Sequence, residues 1–509
     1  MPRLAALSRR LRVALLQQPA LVSVGAFWLV LLLVALPQEL VQDSWLTLLS
    51  GREVAHHGLP ATDHLTVWSH GARWVDQQWL GQLTFYGLYV LGGVRAVLLT
   101  HAALLAATVF VGMVAARRLG ASQASVSLGA VASLAVAPWA LQMRAQSIAQ
   151  LLFVLVLWLL AADSRSPSRR VLLVLPLLVL WANVHGTVVL GAGLVVLRGL
   201  TFAWTEARAG RGVPRRAALL VFVPVGCLFA SPYGISLGGY YHRLLMNPTL
   251  RWFIDEWRAS TPSHKTATFY LLAFATVWLL GRYRHRLTAF EQLALLCTLL
   301  GAVLAIRSII WFGLCCLVLL PPLLDGALER LSFSRLPSRL GRTAPAILVL
   351  VAAITLGYVV SRPSGWYTAA WPTREATTVA QLVRCDSRSR VFADDRYADW
   401  LLWTFPELRG RVAYDVRFEL FTPPQFLSLY SYRNRVGDDW RKAARGYDLI
   451  VFDPRLQETV ERGMVEGGPF VRRYADAQMV ILAARAREAQ ARRCDTGATN
   501  SPDRSAARG

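Results

Sequence analysis

Long apolar runs separated by short arginine-rich stretches constrain this chain more than any other feature. A helix needs roughly 20 apolar residues to cross a bilayer, and basic residues gather in the loops on the cytoplasmic side. The 509 residues are 55% hydrophobic and only 17% charged, whereas a soluble domain carries about 25% charged residues. The sequence therefore predicts an α-helical membrane protein that crosses the bilayer many times.

The net charge of +23 does not indicate a nucleic-acid-binding protein. It comes almost entirely from arginine, since the chain has only two lysines, Lys265 and Lys442. Many of the arginines flank apolar runs, where basic side chains fix membrane topology and meet anionic lipid head groups. We therefore expect membrane lipids, and no nucleic acid, among the partners.

The apolar runs predict about eleven spans. The spans are expected near 20–38, 94–115, 122–140, 147–163, two within 171–204, and then 217–231, 266–281, 289–305, 308–325 and 343–361. The run at 171–204 would be about 51 Å long as one helix, so it is predicted to hold two helices with a turn at Asn183-Val184-His185-Gly186. With these spans the basic loops fall inside, the N-terminus is inside, and the chain after residue 361 is outside.

Two segments near the N-terminal end need a separate interpretation. The first outer loop, residues 41–93, is rich in His, Asp, Trp and Gly, and its apolar stretch at 79–91 is too short to cross. We expect an interfacial or partly inserted helix there, ended by Gly92-Gly93. The run at 20–38 is long enough to span and no small-residue cleavage site follows it, so it is interpreted as the first span and not as a signal peptide.

The composition divides the chain into four parts. Residues 1–19 are the expected cytoplasmic N-terminus, residues 20–361 the transmembrane module, residues 362–485 a small extracytoplasmic α/β domain, and residues 486–509 a disordered tail. Strand-like patches at 390–393, 448–452 and 479–482, with a helix-like segment around 398–405, support the α/β assignment. Cys385 and Cys494 bracket this domain, where they would either form a disulfide or remain free thiols.

Candidate functional residues collect at the predicted outer ends of the helices. Ionisable groups at membrane level are energetically costly and commonly mark functional sites. The group consists of Asp43, Arg144, His185 and Arg307, and the outer loops add His57, Asp63, Asp76 and Glu256. Carboxylates beside several cations suit a phosphate-bearing donor and a base for a hydroxyl acceptor. The alternatives are arginines that merely extend to the interface and the mouth of a transporter.

The motifs around these residues resemble those of the GT-C superfamily of membrane glycosyltransferases, and in particular a bacterial branch of GT-C-like proteins. An aspartate soon after the first span, followed by a large amphipathic outer loop, is the shared feature. The matching residues are Asp43, Gly51, His57-Gly58, Pro60, Asp63, Gly71, Trp74-Val75, Trp79-Leu80, Arg144, Gln146, Trp181-Ala182-Asn183-Val184-His185-Gly186, Glu256-Trp257, Arg307, Tyr397 to Trp403 and Tyr414-Asp415-Val416-Arg417.

The resemblance implies a GT-C-like fold of about eleven spans with a small C-terminal extracytoplasmic α/β domain. It implies inverting transfer of a sugar from a polyprenyl-phosphate donor to a glycan, lipid or protein of the bacterial cell envelope. Asp43 would be the base, with Asp63 or Asp76 as the alternative. The substrate-binding residues would be His57, Arg144, Gln146, Asn183, His185, Glu256 and Arg307. No metal or other cofactor is indicated.

This sequence departs from the family pattern at two positions. Leu46 stands where a histidine is expected soon after the first aspartate, and Gln77-Gln78 follow Asp76 where another histidine is expected. These departures keep open a non-catalytic membrane scaffold as an alternative function. A lipid or glycan transporter or flippase is the other alternative, and it predicts broken helices that carry a charge at mid-membrane.

Overall fold

The computed structural model describes residues 18–246, 248–329, 340–386, 388–466 and 468–487. In chain order the helices are α1 (Pro19–Ala35), α2 (Gln42–His57), α3 (Trp79–Arg118), α4 (Gln123–Leu134), α5 (Gln146–Arg165), α6 (Val174–Val184), α7 (Val188–Arg208), α8 (Arg215–Cys227), α9 (Ser236–Met246), α10 (Pro248–Phe253), α11 (Ala267–Tyr283), α12 (Ala289–Leu304), α13 (Ile309–Leu319), α14 (Pro321–Leu328), α15 (Leu340–Val360), α16 (Ser364–Tyr367), α17 (Thr373–Cys385), α18 (Ala398–Thr404), α19 (Pro423–Asn434) and α20 (Pro454–Val465).

The chain folds into two compact units that are both discontinuous in sequence. The first, which we call the helical unit, contains the described residues of 18–39, 77–245 and 254–367. The second, which we call the sheet unit, contains the described residues of 40–76, 246–253 and 368–487. The predicted tail at 486–509 lies almost wholly outside the described residues, as does the N-terminal segment 1–17.

The helical unit contains the membrane-spanning helices. Five described helices are long and apolar enough to cross a membrane, and a sixth span results if α13 and α14, with the short turn before them, count as one bent span. Shorter apolar helices accompany them, including α4 and α12. Every side chain of α13 is buried, so this helix forms the centre of the unit. The apolar helical architecture is confirmed, while the count of about eleven spans stays a prediction.

The break at Gly92-Gly93 is confirmed. The helix α3 is 40 residues long, about 60 Å at 1.5 Å per residue, which is twice the thickness of the hydrocarbon core. Gly93 has φ +64° and Gly92 is also non-helical, so the chain changes direction between 79–91 and 94–118. Glycine adopts this backbone conformation without steric cost. The predicted turn in the apolar stretch 171–204 is confirmed too, because α6 ends at Val184 and α7 begins at Val188.

Ion pairs with buried carboxylates join the helices on the side that is predicted to be cytoplasmic. Arg198 of α7 lies 2.7 Å from the Asp163 carboxylate of α5, and both side chains are buried. Arg165 contacts Glu291 of α12 at 2.7 Å, and Glu291 also caps its own helix by accepting a hydrogen bond from the Thr288 backbone. A buried charge is stable only with such partners, so these residues align helix ends.

The sheet unit is built around four strands, β1 (Val391–Ala393), β2 (Leu449–Phe452), β3 (Phe470–Ala475) and β4 (Val480–Ala484). The order is β1-β2-β4-β3, with β1 parallel to β2 and the other pairs antiparallel. Phe392 pairs with Ile450, and Ile450 pairs with Leu482. The three predicted strands are confirmed. Strand β3 was missed because Arg472 and Arg473 interrupt its apolar pattern.

Residues 40–76, which include most of the first outer loop, are part of the sheet unit. The amide groups of Val67 and Trp68 donate to the carbonyl groups of Val412 and Ala413, both at 2.9 Å, and Ala413 donates in turn to Val391 of β1. The Trp68 ring packs against Phe392, Tyr414 and Phe421. Residues 40–76 thus extend the sheet and its aromatic core, although they precede β1 by more than 300 residues. From the sequence they were predicted to form an outer loop of the transmembrane module, separate from the C-terminal domain.

Candidate functional site

Arg144 and Glu256 form an ion pair at the centre of a polar cluster in the helical unit. Arg144 precedes α5, and its two terminal nitrogens lie 3.2 Å from Glu256 Oε1. Glu256 belongs to the short helix Asp255–Trp257. Burial by itself raises the pKa of the Glu256 carboxyl, but the Arg144 guanidinium outweighs that effect and the pKa falls below its ordinary value. Glu256 is therefore ionised and fixes the direction of the arginine.

Arg307 lies in the same cluster. Its guanidinium stacks over the Trp257 ring at 4.2 Å from the centroid. Backbone hydrogen bonds explain this proximity: the amide of Ile306 donates to the Arg258 carbonyl, and the amide of Ser260 donates to the Val303 carbonyl. The Arg307 charge acts on Glu256 as well as on His185. Two arginines that follow different apolar helices in the sequence thus meet in one place.

His185 is held as a neutral imidazole beside these two arginines. Burial is the main cause that lowers the pKa of His185 to about 3, and the charges of Arg307 and Arg144 lower it further. The Thr187 amide donates to Nδ1 at 3.2 Å, so in the neutral ring the proton sits on Nε2. No hydrogen-bond partner for Nε2 exists among the described residues. The cluster therefore presents two guanidinium groups and one N–H donor.

Such a cluster is suited to binding a phosphate group. Arginine binds phosphate oxygens through paired N–H groups, and a neutral imidazole N–H adds a donor without adding charge. Glu256 offsets one positive charge, so the site keeps a net positive charge in the absence of ligand. The structure brings together four of the predicted substrate-binding residues, Arg144, His185, Glu256 and Arg307. Their role in binding stays a prediction.

Gln146 lies near Arg144 at the start of α5, and Asn183 lies near His185 at the end of α6. Their surroundings differ. The amide of Asn183 is fully engaged: its oxygen accepts from the Trp79 indole at 3.0 Å, and its nitrogen donates to the carbonyls of Val179 and Ala230. Asn183 thus ties the end of α6 to the start of α3. Gln146 is the first residue of α5 and is half-buried. In the described part of the chain its side chain makes no hydrogen bond.

Asp63 belongs to a buried ionic network in the sheet unit. Its carboxylate accepts hydrogen bonds from the Leu65 amide at 3.1 Å, the Ser69 hydroxyl at 2.8 Å and Arg417 at 2.7 Å. Arg417 also contacts Asp415, with Nε at 2.8 Å from Oδ2, and stacks over Trp74. Burial raises the pKa of Asp63 on its own, but Arg417 and the hydrogen bonds bring it below the ordinary value. The Asp63 carboxylate is therefore ionised, and both of its oxygens accept hydrogen bonds within the network.

Asp43 lies in the first turn of α2 and is half-buried. Its negative charge raises the pKa values of Asp399 and Glu419, which are further carboxyl groups of the sheet unit. Burial is the larger cause in both: it raises the pKa of Asp399 well above the ordinary range and the pKa of Glu419 to about 7. Asp43 therefore lies near two carboxyl groups whose pKa values are raised, and perturbed pKa values are common at catalytic sites.

The remaining predicted residues of the first outer loop have distinct environments. His57 is exposed near the end of α2 and lies 3.2 Å from Glu53. Asp76 is buried in the sheet unit. Gln77, which stands where the family pattern has a histidine, donates to the Ala182 carbonyl at 3.1 Å. A glutamine side chain can donate this hydrogen bond, but it does not exchange a proton near neutral pH. Gln77 can therefore hold the chain in place here and cannot act as an acid or a base.

Metal ligation and cysteine pairing give two further observations. No group of three His, Cys, Asp or Glu side chains among the described residues is arranged to hold a metal ion. Cys385 is disulfide-bonded, whereas Cys227, Cys297, Cys315 and Cys316 are free. The partner expected for Cys385 was Cys494, which lies outside the described residues.

The solved structures that resemble this chain include an archaeal oligosaccharyltransferase and ArnT. The Archaeoglobus fulgidus oligosaccharyltransferase tethered to an acceptor peptide matches with a TM-score of 0.51 at 10% identity, covering 92% of this chain and 74% of that one. Its apo form gives 0.50 at 11% identity, covering 90% and 74%. ArnT from Cupriavidus metallidurans bound to undecaprenyl phosphate gives 0.49 at 14% identity, covering 90% and 97%. No protein-family model and no curated protein matches the sequence.

The chain therefore shares its fold with the Archaeoglobus fulgidus oligosaccharyltransferase. This confirms the fold expected from the sequence, an apolar helical module with a small C-terminal sheet. Sequence reasoning missed Asp399 and Glu419 as neighbours of Asp43. Both are ordinary acidic residues in a charged segment, and only the folded sheet unit places their charges close to that of Asp43.

Proposed function

We propose that the protein transfers a sugar, with inversion, from a polyprenyl-phosphate donor to a glycan, lipid or protein acceptor of the bacterial cell envelope. The observation that carries this proposal is the cluster of Arg144, Arg307 and neutral His185 beside apolar helices. The GT-C fold supports it. We place the protein in the bacterial cytoplasmic membrane, with the N-terminus inside and the C-terminal domain outside, because the arginine-rich loops then all lie on the cytoplasmic side.

The arginine cluster binds the donor phosphate in this proposal. When the bond between the anomeric carbon and the phosphate oxygen breaks, the electron pair stays on that oxygen and polyprenyl phosphate leaves as an anion. Arg144, Arg307 and the Nε2–H group of His185 stabilise the charge that develops there. Glu256 orients Arg144 through their ion pair. The membrane holds the polyprenyl chain of the donor.

Asp43 acts as the general base. It accepts the proton of the acceptor hydroxyl while the hydroxyl oxygen forms a bond to the anomeric carbon on the face opposite the phosphate, which inverts the configuration. We favour Asp43 over Asp63 because the Asp63 carboxylate is occupied by Arg417, Ser69 and the Leu65 amide. Asp76 is almost completely buried, which makes it less suited to meet an acceptor hydroxyl.

Substitution of either arginine in the cluster tests the donor site. Arg144→Ala and Arg307→Ala should each weaken binding of undecaprenyl phosphate by about 10- to 100-fold, because a hydrogen bond to a charged group contributes about 1.5–3 kcal/mol. Binding is measured by titrating the lipid against the purified protein in nanodiscs. Arg211→Ala is the control, since the Arg211 side chain is exposed and pairs with the nearby Glu206. Equal affinities of all three variants and the wild type would contradict the proposed donor site.

A further inference from the structure

Arg144 lies in a connection that has no regular secondary structure of its own. The connection runs from the short helix Pro138–Leu141 to the start of α5 at Gln146. Backbone groups in such a segment must find their partners elsewhere in the protein. The direction of the Arg144 side chain therefore depends on which groups hold Leu141, Met143 and the Arg144 carbonyl.

His101 holds both ends of this connection. It is completely buried on α3. Its Nε2 atom lies 2.7 Å from the Leu141 carbonyl oxygen, and its Nδ1 atom lies 2.7 Å from the Ser147 hydroxyl. A carbonyl oxygen can only accept, so Nε2 carries a hydrogen and donates it. The Ser147 hydroxyl in turn lies 2.7 Å from the Arg144 carbonyl oxygen, which links the imidazole to the backbone of the arginine.

Glu39 holds the middle of the connection. Its backbone carbonyl accepts from the Met143 amide at 2.8 Å, and its carboxylate lies 3.4 Å from His101 Nε2. Glu39 is only 3% exposed. Within the described residues its carboxylate makes no hydrogen bond, and the His101 imidazole lies beside it. A buried carboxylate is costly in an apolar environment, and His101 supplies the contact that retains it there.

We propose that His101 and Glu39 are positioning residues that hold Arg144 in the geometry required to bind a phosphate group. This inference rests on the proposed function only in naming the phosphate as the ligand. Neither residue contacts the ligand: both act through the backbone of 141–144. A guanidinium binds a phosphate well only if it is held within about half an ångström of the correct position. If residues 141–144 become more mobile, phosphate binding weakens although Arg144 is still present.

The first test compares three variants of the full-length protein in nanodiscs by titration with undecaprenyl phosphate. His101→Leu should weaken binding about tenfold, because the Leu141 carbonyl then loses its donor, and a buried polar group without a partner costs about 1–3 kcal/mol. His101→Gln should recover about fivefold of that loss, because its amide N–H can still donate to Leu141. Thr108→Val is the control: Thr108 is buried on the same helix, and its hydroxyl donates to the Leu104 carbonyl of that helix. An equal loss in His101→Leu and Thr108→Val would overturn the proposal.

A double-mutant cycle separates positioning from general damage. If His101 acts through Arg144, the variant with both His101→Leu and Arg144→Ala should bind undecaprenyl phosphate no more weakly than Arg144→Ala alone. If the double variant bound more weakly than Arg144→Ala by the same factor that His101→Leu loses on its own, His101 would affect binding by another route. The proposal would then be wrong.

Hydrogen exchange gives a readout that needs no ligand. In His101→Leu, the amides of 141–145 should exchange faster than in the wild type, while those in the middle of α5 should be unchanged. Faster exchange in a protein that fails to bind undecaprenyl phosphate would contradict the proposed function and leave the positioning role supported. Unchanged exchange at 141–145 would contradict the positioning role whatever the protein binds.

Discussion

Replacing Asp43 with asparagine should abolish sugar transfer while leaving donor binding intact. General-base catalysis contributes about 10²- to 10⁴-fold to the rate, and asparagine has the same shape as aspartate but cannot accept a proton. The Asp43→Asn protein should therefore lose at least about 100-fold in turnover. Because Arg144, Arg307 and His185 are unchanged, its affinity for undecaprenyl phosphate should equal that of the wild type. The measurement is transfer from the native donor in membranes that contain each variant.

Two matched variants make this experiment decisive. Asp438→Asn removes a negative charge from an exposed position of the same unit, and it should leave turnover unchanged. Glu419→Gln removes the half-buried carboxyl whose pKa burial raises to about 7, and it tests whether that group is the base instead. Full turnover in Asp43→Asn would refute the role of Asp43. Movement of the lipid across the membrane without any sugar transfer in the wild type would favour a flippase.

Replacing Arg417 with methionine should unfold the sheet unit at a markedly lower temperature. Arg417 lies between the carboxylates of Asp63 and Asp415, and all three side chains are buried. Removal of one member of a buried ionic network leaves charges without a partner and typically costs about 3–5 kcal/mol. Methionine fills a similar volume, so the loss reflects charge and not a cavity. The measurement is thermal unfolding of the purified protein, with hydrogen exchange of 391–393 and 449–452 to identify the unit affected.

A surface ion pair provides the control for this prediction. Arg445 pairs with Asp439, and both side chains are largely exposed, so Arg445→Met should change stability by less than about 1 kcal/mol. The combination of Arg417→Met with Asp63→Asn should regain part of the loss, because one unpaired charge is then removed. If Arg417→Met were no less stable than Arg445→Met, the network would not hold the sheet unit together.

Local signals in the sequence were sufficient to predict the helix breaks and most strands. Gly92-Gly93 interrupts an apolar helix because only glycine adopts φ +64° easily, and the polar turn at 183–186 divides a stretch that is too long for one span. Strand β3 was not predicted, because two consecutive arginines, Arg472 and Arg473, interrupt its apolar pattern. The number of spans also could not be fixed, since several helices of the bundle are shorter than a bilayer is thick.

The only part of the site that could be predicted from the sequence is the part whose residues the predicted membrane topology places on one side of the membrane. Arg144, His185 and Arg307 all follow or precede apolar helices at the same predicted side, and Glu256 lies in a loop on that side, so their meeting could be expected. The network of Asp63, Asp415 and Arg417 could not, because hydrogen bonds between residues more than 350 positions apart leave no trace in local composition. The positioning role of His101 depends on interatomic distances, which a sequence does not contain.

The division of the sheet unit into distant segments has a consequence for biogenesis. Residues 40–76 leave the ribosome long before Arg417 and strand β1 are made. Asp63 and Trp68 therefore cannot form their native contacts while the helical unit is being inserted. Non-local pairing of this kind is slow and exposes apolar surface in the interval. We therefore expect the nascent loop to remain prone to aggregation until residues 391–421 are made, and these late segments to set the time at which the protein matures.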